Sequence, residues 1–396
     1  MFYIFLVLFL TVIICIFALI INSIQYFLFN MKKIDCTYVI TKMKKKSIII
    51  IILIVLLILL VTVSQLMAHT PAIKDDKGNI VKGSIAELKK VDLNGRKEWI
   101  SIRGVNKDAP VLLFLAGGPG GTQMSSTRYE LAELEKYFVV VNWDQPGSGK
   151  SFHCMNVKDI TTQTYMDDGI ALTEYLRDEF SKDKIYLMGE SWGSAFGVFL
   201  VSEKPEYYQG MIGTGQMINF KQTEIMDYEK AIEIAQTKGN EKLIEKLMKQ
   251  GKPPYYVGNI ALISSTYLNY LSQYMSDNPE IYGGYHTIRD IFSSEYGILD
   301  SINYFYGLIE TFNVIYPQLY ETDLKEDYSK INVPIYFFIG RHDINAPVTL
   351  TKEYYDILSA PKKELIWFEH SGHNCMLNEN ELFIKETLRV FQEDQE

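Results

Sequence analysis

Gly189-Glu190-Ser191-Trp192-Gly193 stands between a short apolar run, Lys184–Met188, and a stretch opening WGSAFGVFLVSE that suits a helix. A serine at so sharp a strand-to-helix turn projects its hydroxyl from the edge of a sheet, and glycines two places before and after relieve the crowding. The pentapeptide alone is a weak signal. Its position makes Ser191 the candidate nucleophile and also limits the architecture. Val111–Leu115 and Phe138–Trp143 are two further buried-type runs, each followed by a Gly-rich or polar turn. Thr164–Phe180, between Phe138–Trp143 and Lys184–Met188, places Met166, Ile170, Leu172, Tyr175, Leu176 and Phe180 at helical spacing. Alternating strands and helices of this kind predict an α/β fold, a mostly parallel sheet with helices on both faces.

The rest of the chain fits around that sheet. Residues 70–82 are polar and read as a linker. Gly83–Val91 and Glu98–Val105 flank Asp92-Leu93-Asn94-Gly95, a hairpin signal. After Gly210–Gly213 the pattern turns helical and tyrosine-rich, over about 216–328. Strand patterns return at Pro334–Ile339 and Glu364–Phe368, and an amphipathic helix closes the chain around Glu379–Gln392. The expected organisation is a core over 70–215 and 329–396, interrupted by a helical cap over 216–328.

A serine hydroxyl needs a base, and the base an orienting carboxylate. On such a sheet the order is Ser, then Asp or Glu, then His. Asp343 follows one late strand (YFFIGRHD) and His373 the next (WFEHSGHN), where loops leave the carboxyl ends of parallel strands. His342 and His370 are close rivals in sequence. Leu115-Ala116-Gly117-Gly118-Pro119-Gly120-Gly121 follows the strand VLLFL, and its N–H groups can approach a developing oxyanion together with that of Trp192. A phosphate loop is the competing reading, but no Lys-Ser/Thr follows and no GxGxxG is present. The four cysteines form no CxxC and the six histidines no HExxH, so no metal site is readable.

Residues 48–61 are an unbroken run of Ile, Leu and Val, and 47–67 is long enough to cross a bilayer as a helix. Lys44, Lys45 and Lys46 precede it, which predicts a cytoplasmic basic loop at 31–46 and an outward-facing chain after Met67. Residues 2–29, free of charge, make a second span, so 1–69 reads as a membrane segment. Met43 also resembles the start of a signal peptide or anchor, which would make 1–42 an upstream extension; Leu66-Met67-Ala68 is a poor cleavage site, and an uncleaved anchor is the preferred reading. The formal charge of −9 is uneven. Residues 1–46 carry +5, leaving −14 on a body with no Lys/Arg stripe, so nucleic acid is not an expected partner.

The AGGPGG loop, the segment Asn142-Trp143-Asp144-Gln145-Pro146-Gly147-Ser148-Gly149-Lys150-Ser151 and the GESWGS elbow together resemble the prolyl aminopeptidase (proline iminopeptidase) branch of the α/β-hydrolase superfamily, over roughly residues 83–396. That branch carries HGGPG, DQRGxGxS and GxSWG. The resemblance implies an α/β-hydrolase fold with a helical cap, cofactor-free hydrolysis through an acyl-enzyme, and oxyanion donors at Gly118 and Trp192. It also implies cap carboxylates that hold a free amine, for which Glu224, Glu229 and Glu233 are the candidates; each can equally be an exposed helix carboxylate. The family's His and Arg are here Ala116 and Pro146, and Pro146 puts the usual substrate in question. Asp144 reads as structural.

Two other functions compete with a peptidase. One is a carboxylesterase or lipase, with Tyr255, Tyr256, Tyr267, Tyr270 and Tyr274 lining an acyl pocket rather than filling the cap core. The other is a catalytically inactive binding protein. A carboxylate pair facing Ser191 from the cap would favour free-amine substrates. Cys154 and Cys375 each follow an active-site loop, so a disulfide between them competes with two separate thiols.

Overall fold

The computed structural model describes residues 2–393. Two compact units are present, one comprising residues 1–69 with 296–301 and the other 70–295 with 302–396.

The first unit holds two 30-residue apolar helices, Phe2–Met31 and Thr37–Leu66. Each is about 45 Å long at 1.5 Å per residue, more than a hydrocarbon core requires; both are candidate membrane spans by length and composition. The second helix starts ten residues before the expected 47, and the connection shrinks to 32–36. Lysine is a good helix former, so the hydropathy step at residue 47 does not coincide with the helix start. Lys46 Nζ donates to Ala18 O at 3.0 Å and to Asn22 Oδ1 on the other helix.

The second unit is built on an eight-stranded sheet. Its strands are β1 (Ile85–Leu93), β2 (Arg96–Gly104), β3 (Val111–Leu115), β4 (Val139–Asp144), β5 (Ile185–Glu190), β6 (Tyr208–Thr214), β7 (Ile335–Gly340) and β8 (Lys363–Phe368). The order is β1-β2-β4-β3-β5-β6-β7-β8. β1 and β2 form the expected antiparallel hairpin about Asn94-Gly95, β2 pairs antiparallel with β4, and all later pairs are parallel. This is an α/β-hydrolase fold. β6 is a strand the sequence reading did not assign: YQGMIGT has two glycines and no alternation, yet it lies between β5 and β7 with six of its seven residues buried.

Alternation along the buried strands divides two core faces. Val111, Leu113, Leu115, Ile185, Leu187 and Phe337 pack with the helix Trp192–Glu203. Leu112, Phe114, Tyr186, Met188 and Phe338 meet Phe383, Val390 and Phe391 of the helix Asn380–Glu393. Ten of the twelve residues of Trp192–Glu203 are buried, which explains why it is apolar all round.

Between β6 and β7 the chain is helical, and part of it has its own small core of Tyr228, Ala231, Ile234, Leu247, Tyr267 and Leu271. The helix Phe220–Thr237 buries Phe220, Thr223, Glu224, Asp227, Tyr228, Ala231, Ile234 and Ala235, one face at helical spacing.

Candidate active site

Loops from four parallel strands converge at their carboxyl ends. β3 leads into Gly117–Gly121, β5 into Ser191, β7 into Asp343 and β8 into His373. Ser191 has φ 53° and ψ −120°, a conformation that costs a non-glycine residue about 1–3 kcal/mol. Ser191 N–H donates to Thr214 O at 3.0 Å, which ties the turn to the end of β6. Gly193 is required by contact: a Cβ there would lie 2.1 Å from Leu115 O, so the helix start sits directly on the end of β3.

His373 and Asp343 are joined. His373 Nδ1 lies 2.9 Å from Asp343 Oδ2 and 3.1 Å from Oδ1. The second carboxylate function is fixed by Ala346 N–H, which donates to Oδ1 at 3.0 Å. Burial by itself lowers the His373 pKa, but the charge of Asp343, its hydrogen bond and the charge of Glu190 outweigh burial and leave it raised. The imidazole also meets the Thr214-Gly215 backbone, where a Cβ on Gly215 would lie 2.8 Å from His373 Cε1. Ser191 and His373 thus flank one short segment. Among the described residues Ser191 Oγ makes no hydrogen bond. The rival histidines are placed elsewhere: His342 Nε2 meets Glu280 at 3.4 Å, and His370 stacks on Tyr282.

The glycine loop faces Ser191. Gly117 and Gly118 line a cavity of about 200 Å³ that contains Ser191. Gly118 has φ +136°, backbone open to glycine alone. Trp192 is the first residue of its helix, so its N–H precedes the intrahelical ladder. Its indole donates to Gln145 Oε1 at 3.0 Å, holding the elbow to the 144–151 segment. Asp144 braces that segment: it accepts Thr122 Oγ1 and, at 2.7 Å, Lys150 N–H.

The carboxylates around Ser191 differ from the expected set. Glu224 is buried and accepts hydroxyls of Tyr267 and, at 3.1 Å, Ser264. Glu229 pairs with Lys252 at 2.6 Å and Glu233 with Lys230 at 2.8 Å, both exposed. None of the three lines the Ser191 cavity. Two other carboxylates do, Glu190 and Asp290. Glu190 is buried; Gln123 Nε2 donates to one oxygen and Asn374 Nδ2 to the other at 2.7 Å. Burial raises its pKa, opposed by Gln123 and the His373 charge. Asp290 comes from the short cap helix Thr287–Ile291 and accepts Arg289 Nε at 2.7 Å. Glu190 was legible as the residue before Ser191. Asp290 sits in a five-residue helix with no periodicity to mark its face.

The five cap tyrosines do not line this cavity either. Tyr267 fills the cap core, Tyr255 and Tyr270 pack against it, and Tyr256 and Tyr274 are exposed. His373 opens into a neighbouring cavity of about 400 Å³, and Tyr285, Asn374 and Leu377 line both spaces. Cys154 and Cys375 are separate thiols. Cys375 lies in the core under β7, its Sγ 3.7 Å from Phe338 O, and burial pushes the Cys154 thiol up to about 12.

Comparison with known proteins agrees with this architecture. A family model described as "Serine aminopeptidase, S33" matches residues 123–289. The chain is 31% identical over 311 residues to the "Probable aminopeptidase YbaC" of Bacillus subtilis, covering 76% of this chain and 95% of the relative. It is 25% identical over 292 residues to a proline iminopeptidase of Saccharolobus solfataricus, covering 72% and 84%. Among solved structures, VinJ superposes with a TM-score of 0.57 at 19% identity, over 77% of this chain and 98% of that one.

Proposed function

The chain belongs to the prolyl aminopeptidase-like (S33) family of α/β-hydrolases, and we propose that it is a serine aminopeptidase that releases N-terminal residues from small peptides through an acyl-enzyme. The observation that carries this reading is the conjunction of Ser191 in its strained turn with His373 held at 2.9 Å by Asp343.

In this mechanism the scissile carbonyl enters the 200 Å³ cavity with its oxygen toward the Gly118 and Trp192 N–H groups. Ser191 Oγ attacks the carbonyl carbon while His373 Nε2 takes its proton, and Asp343 stabilises the imidazolium. The same proton passes to the leaving amine, and water, deprotonated by His373, cleaves the ester. The substrate's free ammonium is held by Asp290 and Glu190. Those two carboxylates beside the nucleophile favour a free-amine substrate over a simple ester.

The two apolar helices anchor the enzyme in the cell membrane in this reading. The lysines at 42 and 44–46 keep the intervening turn cytoplasmic and put the hydrolase unit outside. Hydrolysis of a panel of aminoacyl-arylamides and acyl esters, with Ser191→Ala as control, tests the chemistry. Cleavage of esters only would sink the aminopeptidase assignment, and absence of fluorophosphonate labelling would make the chain a binding protein. Protease shaving of intact cells tests the orientation.

A further inference from the structure

A third cavity, of about 470 Å³, lies between the cap helix Phe220–Thr237 and the loop that carries Asp343. Its walls are of two kinds: Ile344, Pro347 and Val348 are apolar, whereas Asp227, Glu229, Glu233 and Asp343 are carboxylates. The last three are engaged, Glu229 by Lys252, Glu233 by Lys230 and Asp343 by His373 and Ala346. Asp227 is not. It is 1% exposed, and its Oδ1 makes no hydrogen bond among the described residues.

The groups around Asp227 do not resolve its charge. Glu224 on the same helix and Asp343 from the facing loop are both acidic, and Tyr316 from the cap is neutral. Lys230, the cation in the cavity wall, pairs with Glu233, and Glu229 in the same wall pairs with Lys252. Burial, then Glu224 and Asp343, hold the Asp227 pKa well above its usual range. A buried carboxyl without a partner, facing an open cavity, is completed by a cation that brings N–H donors. No group of three His, Cys, Asp or Glu side chains among the described residues has metal-holding geometry, and Met226, Ile344, Pro347 and Val348 make part of the wall apolar.

We propose that this cavity is a second binding site, for a small aliphatic ammonium ion, with Asp227 accepting its N–H groups and Ile344, Pro347 and Val348 covering its methylenes. The site is separate from the Ser191 cavity, with which it shares no lining residue. Because Asp343 lines it, a bound cation offsets part of the charge that keeps the His373 pKa up. On the catalytic reading above, occupancy therefore moves the acidic limb of the rate profile to lower pH.

The test is titration calorimetry on the full-length protein in detergent, with 1,4-diaminobutane as probe and 1,4-butanediol as its neutral counterpart. The diamine should bind saturably and the diol should not. Binding should release a proton and weaken about tenfold per pH unit below the Asp227 pKa, because the proton competes for the carboxylate. Asp227→Asn should weaken binding at least about tenfold; its far-UV circular dichroism and fluorophosphonate labelling report whether it is folded. Ser191→Ala should bind as the wild type does, so the result does not depend on whether the chain is a hydrolase. No saturable binding, equal binding by Asp227→Asn, or loss in Asp290→Asn with Asp227→Asn unaffected would each overturn the proposal.

Discussion

Replacing Asp343 by asparagine tests the catalytic reading most sharply, because the structure fixes which way the amide must point. Ala346 N–H donates to Oδ1 at 3.0 Å, so the amide oxygen has to occupy that side. The NH2 group then takes the Oδ2 position, 2.9 Å from His373 Nδ1. A donor at this shorter contact favours Nδ1 as the acceptor over the 3.1 Å contact to Oδ1, which puts the imidazole proton on Nε2. The nitrogen that should receive the Ser191 proton already carries one. The opposite orientation restores the tautomer but sets NH2 against the Ala346 N–H in a buried site, leaving that donor unsatisfied at about 1–3 kcal/mol. The expected loss in kcat is therefore about 10⁴-fold, as for other serine triads that lose the carboxylate charge, or roughly 5.5 kcal/mol of barrier. Initial rates on the best aminoacyl-arylamide, with Ser191→Ala as the floor, give the number. A kcat within tenfold of wild type in a folded Asp343→Asn protein would refute the role of Asp343 and the tautomer argument with it.

Asp290→Asn should raise KM for aminoacyl-arylamides by about 10- to 100-fold, the worth of a charge-assisted hydrogen bond, and leave N-acetylated analogues unchanged; equal effects on both would show that Asp290 does not hold the amine. Gly193→Ala places a Cβ 2.1 Å from Leu115 O, which costs roughly 3 kcal/mol and should lower the melting temperature by about 2–4 °C per kcal/mol while abolishing activity, measured by thermal unfolding and probe labelling. Because the His373 pKa is raised, kcat/KM should climb with pH through a midpoint above the ordinary 6.5, and Asp343→Asn should bring that midpoint down; a wild-type midpoint at or below 6.5 contradicts the electrostatics. The same shift sets a stability term of known sign. It is fully present below the unfolded pKa near 6.5 and is lost as pH rises through the higher folded value, so the urea midpoint should fall across that window in wild type and not in His373→Ala.

Gly189–Gly193, the 117–121 loop, Asp343 and His373 are all readable along the chain, because each lies at the end of a buried strand whose apolar run is unmistakable. The sequence by itself therefore determined seven of the eight strands of the sheet, the place of Ser191 on it and the family. It also determined the two apolar helices, although not that the second one runs through its lysines to Thr37. It did not reveal β6, where glycines at 210 and 213 hide a strand that is buried by its neighbours rather than by its own pattern. The carboxylates were decided by packing. Glu224 and Asp227 share the buried stripe with Phe220, Tyr228 and Ala231, while Glu229 and Glu233 turn outward to lysines. The helical spacing held that distinction, but not what would lie opposite the stripe. Glu190 is placed by its position at the end of β5, but Asp290 reaches the Ser191 cavity because the 287–291 turn is held to the helix after the glycine loop, through Ser125 Oγ on Asp290 O at 2.8 Å and Arg128 on Glu295. A strand declares itself by what it buries, whereas the direction in which a charged side chain points into a cleft is fixed by contacts far away in sequence.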